Sequence, residues 1–316
     1  MLTKLGSMTA ILAIAAVVSP LASEEPATHS AFRFAGYLPD YRASTFDPLA
    51  ARDLTDLIVF SARATESGSI DLSRLQQIPW AKLRAFKTRH CVRLWLCIGG
   101  WERSRELASV AASGEKRQRL VEDAVRICLA ERLDGLDLDW EHPRNETEQT
   151  HYAKLLAELH QAFQPHGLML SVTLAAWQKL PRATWESVDW INLMAYDHPG
   201  PHSTFEDARK DVEKLLAAGA PAHKITLGLP FYGRDRAQAN KSLTYREILA
   251  QHRPTPTTDE IGTLSFNGRA TIQKKTRYAL DHHLGGVMVW ELGQDALGKE
   301  SLVQVIADTI HAQSHK

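Results

Sequence analysis

Short apolar runs alternate with longer amphipathic stretches along most of the chain. The runs fall at residues 32–37, 54–62, 92–99, 133–140, 168–176, 188–196, 224–231 and 285–291. Several are nearly continuous in hydrophobicity, the pattern of strands buried on both faces. Between them, residues 115–132 carry Leu120, Val121, Ala124, Val125, Ile127 and Cys128 at helical spacing, and 148–163, 205–218, 270–283 and 299–311 follow the same period. Eight strands alternating with helices predict a (β/α)8 barrel (TIM barrel), an α/β fold whose usual size is about 250 residues. A doubly wound open sheet is the competitor. It normally shows a glycine-rich phosphate loop after the first strand, whereas that strand here runs into Gly36-Tyr37-Leu38-Pro39-Asp40-Tyr41.

Residues 1–23 stand outside this rhythm. Lys4 precedes an apolar stretch at 10–18, and small residues follow at Ser19, Ala22 and Ser23. That is the layout of a cleaved secretory signal peptide. The apolar stretch is shorter than the roughly 20 residues a membrane span needs. The expectation is a secreted or periplasmic protein whose residues 24–316 form one barrel. Export exposes cysteines to oxidation. Cys91 and Cys97, read as one strand, would lie roughly 20 Å apart, beyond the reach of a disulfide. All three cysteines are expected to be buried and unpaired, with a Cys97–Cys128 bridge as the lesser alternative.

Composition removes several classes of function. The 316 residues include 37 Lys+Arg and 37 Asp+Glu, a formal net charge of zero, which argues against a nucleic-acid partner. Eight tryptophans and 44% hydrophobic residues argue against a disordered chain. Three cysteines are too few for a disulfide scaffold.

A barrel carries its chemistry at the C-terminal ends of its strands. Those ends read Gly36-Tyr37, Gly99-Gly100-Trp101, Asp137-Leu138-Asp139-Trp140-Glu141, Ala176-Trp177-Gln178, Met194-Ala195-Tyr196-Asp197, Phe231-Tyr232-Gly233-Arg234 and Trp290-Glu291. Aromatics and acids thus gather on one rim, the surface that suits a sugar. Strand side chains alternate in direction, so Asp137, Asp139 and Glu141 point into the barrel, while Leu136, Leu138 and Trp140 point to the helices. Same-face neighbours are roughly 7 Å apart, and at least one of three such acids should hold a proton near neutral pH. The spacing fails the EF-hand pattern, and the histidines show no His-Glu-x-x-His pair. No metal or cofactor is expected. Trp95, Trp140 and Trp190 are read as core.

The segment Asp134-Gly135-Leu136-Asp137-Leu138-Asp139-Trp140-Glu141 resembles the DGxDxDWE signature of family 18 glycoside hydrolases, the chitinase family. Cys97-Ile98-Gly99-Gly100-Trp101 resembles its Ser-x-Gly-Gly strand-three end, with cysteine in place of serine. Met194-Ala195-Tyr196-Asp197, Leu229-Pro230-Phe231-Tyr232-Gly233-Arg234 and Trp290 resemble its later strand ends. The resemblance implies Glu141 as general acid, Asp139 orienting the substrate's acetamido N–H, Asp137 sharing a proton with Asp139, and Tyr196 holding the acetamido oxygen. Trp290, Asp197, Met194, Tyr37, Trp101, Trp177 and Arg234 become the candidate sugar contacts. His142 follows the acid without an assigned role. The implied activity is retaining, substrate-assisted hydrolysis of an N-acetylglucosamine polymer by a monomer with no membrane insertion. The alternatives are hydrolysis of such linkages in N-glycans or peptidoglycan, and a lectin on an inactive barrel. The short connection 233–268 implies that the α+β insertion common after strand seven is missing or vestigial, leaving a more open cleft.

Overall fold

The computed structural model describes residues 32–44, 46–238 and 241–314, so the expected leader at 1–23 lies outside the described residues. Eight parallel strands form the wall: β1 (Arg33–Pro39), β2 (Asp56–Ala64), β3 (Arg93–Gly99), β4 (Gly135–Asp139), β5 (Met169–Leu174), β6 (Trp190–Leu193), β7 (Ile225–Pro230) and β8 (Gly286–Trp290). Each pairs with the next in sequence, and β1 also pairs with β8, which closes the barrel.

The outer layer holds α1 (Trp80–His90), α2 (Leu107–Ala112), α3 (Gly114–Glu131), α4 (Glu146–Phe163), α5 (Phe205–Ala217), α6 (Tyr245–His252), α7 (Arg269–Asp281) and α8 (Leu302–Ser314). Three of these, α1, α2 and α6, escape the hydrophobic pattern. Helix α1 buries only Leu83 and Phe86, too thin a stripe to show a period, and α2 is six residues long. The crossovers after β1 and β5 contain only 3-10 turns, two of which begin at Pro48 and just after Pro181.

Strand alternation divides the apolar residues into two cores. Leu94, Leu96, Leu136, Leu138, Val172, Val287 and Val289 face the helices. Tyr37, Ile58, Phe60, Trp95, Cys97, Trp190 and Met288 fill the barrel itself. Trp140 packs outward against Tyr152 of α4, with ring centroids 5.1 Å apart. Arg33 plugs the barrel floor, its guanidinium 3.5 Å from the Trp190 ring centre.

All three cysteines are free. Cys97 faces the barrel interior and Cys128 sits in the helix layer, so the strand wall separates them. Cys91 corrects the expectation of a buried strand residue. It is exposed and caps α1 in the left-handed conformation at φ 55°.

The connection after β7 is folded. Tyr232–Asp235, Ser242–Thr244, Leu264–Ser265 and Glu260–Ile261 form a small antiparallel sheet. A capping box between Thr244 and Glu247 starts α6 beside it. This compact unit occupies the connection where a missing or vestigial insertion was expected. Among the described residues, no helix is long and apolar enough to cross a membrane.

Candidate active site

A groove of about 830 Å³ opens at the C-terminal ends of the strands. Tyr37, Trp101, Asp139, Glu141, Trp177, Met194, Tyr196, Asp197, Arg234 and Trp290 line it. Asp137 lies beneath, fully buried.

Asp137 is the hub of a polar network inside the barrel. Its carboxylate accepts from Tyr37 Oη at 2.8 Å, Ser171 Oγ at 2.6 Å, Thr173 Oγ1 at 3.0 Å and Asn192 Nδ2 at 3.0 Å. Thr226 Oγ1 donates in turn to Asn192 Oδ1 at 2.7 Å. The network therefore ties β1, β5, β6 and β7 to β4. Both Asp137 oxygens accept from these donors. Tyr37 is 1% exposed; its hydroxyl belongs to this network, and the residue also borders the groove.

Asp139 sits one step higher on the same face. Its Oδ1 is buried and has no hydrogen-bond partner among the described residues. Burial above all, then the nearby Glu141 and Asp137, pushes its carboxyl well above the ordinary range. The end of β3 fits tightly around it. Gly99 has φ 101°, and a Cβ there would stand 2.1 Å from the Asp139 carbonyl oxygen, so only glycine is tolerated. Gly100 N–H and Ser104 Oγ both donate to that carbonyl, at 2.7 and 3.0 Å.

Glu141 lies beyond the strand, which ends at Asp139. Its backbone N–H donates to Ser104 Oγ at 3.1 Å, which fixes where the side chain emerges. Burial pushes its carboxyl up to about 7, against a lowering hydrogen bond from the Trp101 backbone and with a smaller upward push from Asp197. A carboxyl titrating near neutrality is suited to general acid work.

Asp197 adopts the left-handed conformation at φ 62°. It accepts from Tyr232 Oη at 2.8 Å and from both Nε and Nη2 of Arg234, the latter at 2.7 Å. Burial works to raise its carboxyl, but the Arg234 guanidinium and the other donors hold it well below the usual range. Arg234 is thus committed to Asp197.

Trp290 rests on Phe60 and Tyr37, with ring centroids 4.7 and 5.4 Å away. Trp101 and Trp177 stand at the rim, 68% and 60% exposed. Phe60, Arg103, Thr173 and Tyr232 also line the groove and were missed as site residues. Phe60 lies within β2, four residues before its end at Ala64, so inspecting only the strand ends passed over it.

Acids climbing one strand into an aromatic-walled groove, on a closed parallel barrel, mark this as a carbohydrate-type site. The chain belongs to glycosyl hydrolases family 18, whose family model matches residues 33–295. Chitinase 1 of Aphanocladium album is 27% identical over 277 residues, covering 69% of this chain and 65% of that protein. The solved chitinase ChiB from the chitin utilization locus of Flavobacterium johnsoniae superposes with a TM-score of 0.80 at 27% identity, covering 90% of this chain and 95% of that one. A Cycas revoluta chitinase solved in complex with (GlcNAc)3 shares the fold, with a TM-score of 0.77 at 23% identity over 87% of this chain and 98% of that one. The chain spans 59–65% of the length of three curated relatives it matches.

Proposed function

We propose that this chain hydrolyses β-1,4 bonds next to N-acetylglucosamine, in chitin or chito-oligosaccharides, with retention of configuration. The observation that carries the reading is Asp139, which lines the groove and has one buried carboxyl oxygen with no partner among the described residues. An N-acetyl sugar brings the missing donor in its 2-acetamido N–H. Pairing there turns the acetamido carbonyl oxygen toward the anomeric carbon.

The steps follow. Glu141 gives its proton to the glycosidic oxygen, and the leaving sugar departs as an alcohol. The acetamido oxygen forms the new bond to the anomeric carbon, giving an oxazolinium ion. Water then attacks that carbon, the bond to the acetamido oxygen breaks to restore the acetamido group, and the water's proton passes to Glu141. No enzyme carboxylate attacks the sugar, which places this chemistry outside the two-carboxylate scheme. The occupied oxygens of Asp137 agree with that. Tyr196 holds the acetamido oxygen, Trp290 stacks beneath the reacting ring, and Met194 and the Asp197–Arg234 pair wall the same subsite. Trp101 and Trp177 offer faces to the neighbouring sugars. Positioning the internal nucleophile is worth several kcal/mol. Support for the substrate class comes from family membership and from relatives solved with GlcNAc oligomers.

The test compares wild type with Glu141→Gln on fluorogenic chitobioside and chitotrioside, on an N-glycosylated protein and on peptidoglycan. Wild type should release product from the chitin-type substrates, and the variant should lose roughly 10²–10⁴ of that rate. Equal inertness of both proteins on all four substrates would end the enzyme reading. Cleavage of glycoprotein or peptidoglycan alone would move the substrate to those polymers.

A further inference from the structure

The residue after the acid, His142, has a tautomer that its surroundings dictate. Its Nδ1 lies 3.2 Å from Gln178 Oε1. That same Oε1 accepts from the Ala175 backbone N–H at 2.7 Å, and a backbone N–H can face only an acceptor. The Gln178 amide is therefore fixed with its oxygen toward both groups, while its Nε2 points to the Trp140 carbonyl at 3.5 Å. It follows that His142 Nδ1 carries the proton and donates to Gln178. In the neutral ring, Nε2 is then a bare lone pair. It stands 3.5 Å from Glu141 Oε2, close enough to tighten into a hydrogen bond.

We propose that His142 is a positioning residue for the general acid: its Nε2 accepts the Glu141 proton in the empty groove and keeps that acid loaded until a glycosidic oxygen replaces Nε2 as acceptor. This rests on the general-acid reading of Glu141. The proton stays on Glu141, passes to the leaving oxygen as the glycosidic bond breaks, and is restored from the attacking water. His142 is neutral before and after.

Of the other groups around the pair, the Trp101 backbone hydrogen bond favours the ionised carboxylate, and the rest favour a neutral ring beside a protonated carboxyl. Glu141 is faced by Asp139 from β4, and by Asp197 and Tyr196 from the end of β6. These acids disfavour a second negative charge there, and Arg234 is spent on Asp197. His142 is faced by Gln178 and by the edge of Trp177, ring centroids 4.7 Å apart. Burial lowers its imidazole, with Gln178 working the other way, which favours the uncharged ring.

Two measurements test this. Nitrogen NMR of the wild-type ring at neutral pH should show Nδ1 protonated and Nε2 bare, and an Nε2–H tautomer would overturn the proposal whether or not the protein is an enzyme. The pH profile of chitotrioside hydrolysis supplies the second. His142→Asn keeps a donor for Gln178 and deletes Nε2, and His142→Phe deletes both nitrogens but keeps the ring against Trp177. In both, the basic limb of kcat/KM should move to lower pH by roughly one unit. The limb of kcat should move less, because in the complex the substrate has already replaced Nε2. Folded variants whose kcat/KM limb stays with wild type overturn the proposal. A wild type inert on every substrate removes the enzyme reading and leaves the tautomer to be decided by NMR.

Discussion

Asp137 and Asp139 stand two residues apart on one face of β4, and the barrel surrounds them in opposite ways. Asp137 gathers Tyr37, Ser171, Thr173 and Asn192 as donors, whereas Asp139 keeps a buried oxygen with no partner among the described residues. The lower acid is built into the fold. The upper one is left for something that enters the groove.

Their asparagine variants should therefore fail differently. Asp137→Asn turns an NH₂ group toward donors, and a buried donor left unsatisfied costs about 1–3 kcal/mol. Its urea midpoint should fall accordingly. Asp139→Asn breaks no hydrogen bond at Oδ1 and removes a carboxyl that burial disfavours when charged, so its stability should match or exceed wild type. Its hydrolysis of chitotrioside should nevertheless drop by at least about 10²-fold, in the range of lost general catalysis. Equal stability losses in the two variants would contradict the asymmetry.

Glu141 makes a second, pH-dependent case. Its folded-state value of about 7 lies above the ordinary 4.5. Between those values the folded chain holds a proton that the unfolded chain has lost, so stability falls as pH rises through the window. Below about 4.5 both states are protonated and the penalty vanishes. Glu141→Gln should therefore be more stable than wild type at pH 7.5 by as much as roughly 3 kcal/mol, with the gap closing toward pH 4. Chemical denaturation at several pH values checks this, and a gap independent of pH would count against the raised carboxyl.

The rim tryptophans should separate binding from folding. Trp101 and Trp177 are 68% and 60% exposed, so alanine at either position should change stability by no more than about 0.5 kcal/mol. Each ring removed from a sugar face should raise KM for longer oligosaccharides on the order of tenfold. Trp290→Ala should lower stability as well as raise KM, because that ring also packs on Phe60 and Tyr37. Titration of each variant with chito-oligosaccharides of increasing length would show whether the rim rings meet the sugars beyond the cleaved bond.

The barrel was legible because strands buried on both faces write continuous apolar runs, and the acid ladder because a strand's period of two is rigid. Asp137 could be placed inside from its spacing alone. Its donors could not, since Tyr37, Ser171, Thr173 and Asn192 are ordinary polar or aromatic residues on three other strands and meet only when the barrel closes. Helix α1 was hidden for a local reason: its 11 residues include Lys82, Arg84, Lys87, Arg89 and His90, which leave no visible stripe. Arg234 was drawn to the groove by its place at a strand end, and nothing in the sequence pairs it with Asp197, 37 positions away.

Lys275 shows how far a buried charge can be hidden in a helical pattern. It lies on α7 at 0% exposure. Its ammonium donates to Ser203 O at 3.0 Å, Ser203 Oγ at 2.7 Å and Asn267 Oδ1 at 2.8 Å. All three acceptors are neutral. Ser203 Oγ in turn donates to the carbonyl of Ala195 at 2.9 Å, beside Tyr196, so this lysine fastens the loop behind the groove. Burial pulls its amine down from 10.5 to about 7, with Asp259, Asp207 and Asp211 opposing from a distance. Between those two values the unfolded chain holds a proton that the folded chain has shed, so stability rises with pH across the window. Below about 7 the full cost of burial applies, on the order of 4 kcal/mol before its hydrogen bonds are counted. Lys275→Met removes the titration. The stability difference between the two proteins should therefore drift toward wild type from pH 7 to pH 10, measured as urea midpoints in parallel series. Curves that stay parallel would mean that the folded lysine keeps its proton throughout, and that the Ser203–Asn267 cradle stabilises the ammonium far better than burial opposes it.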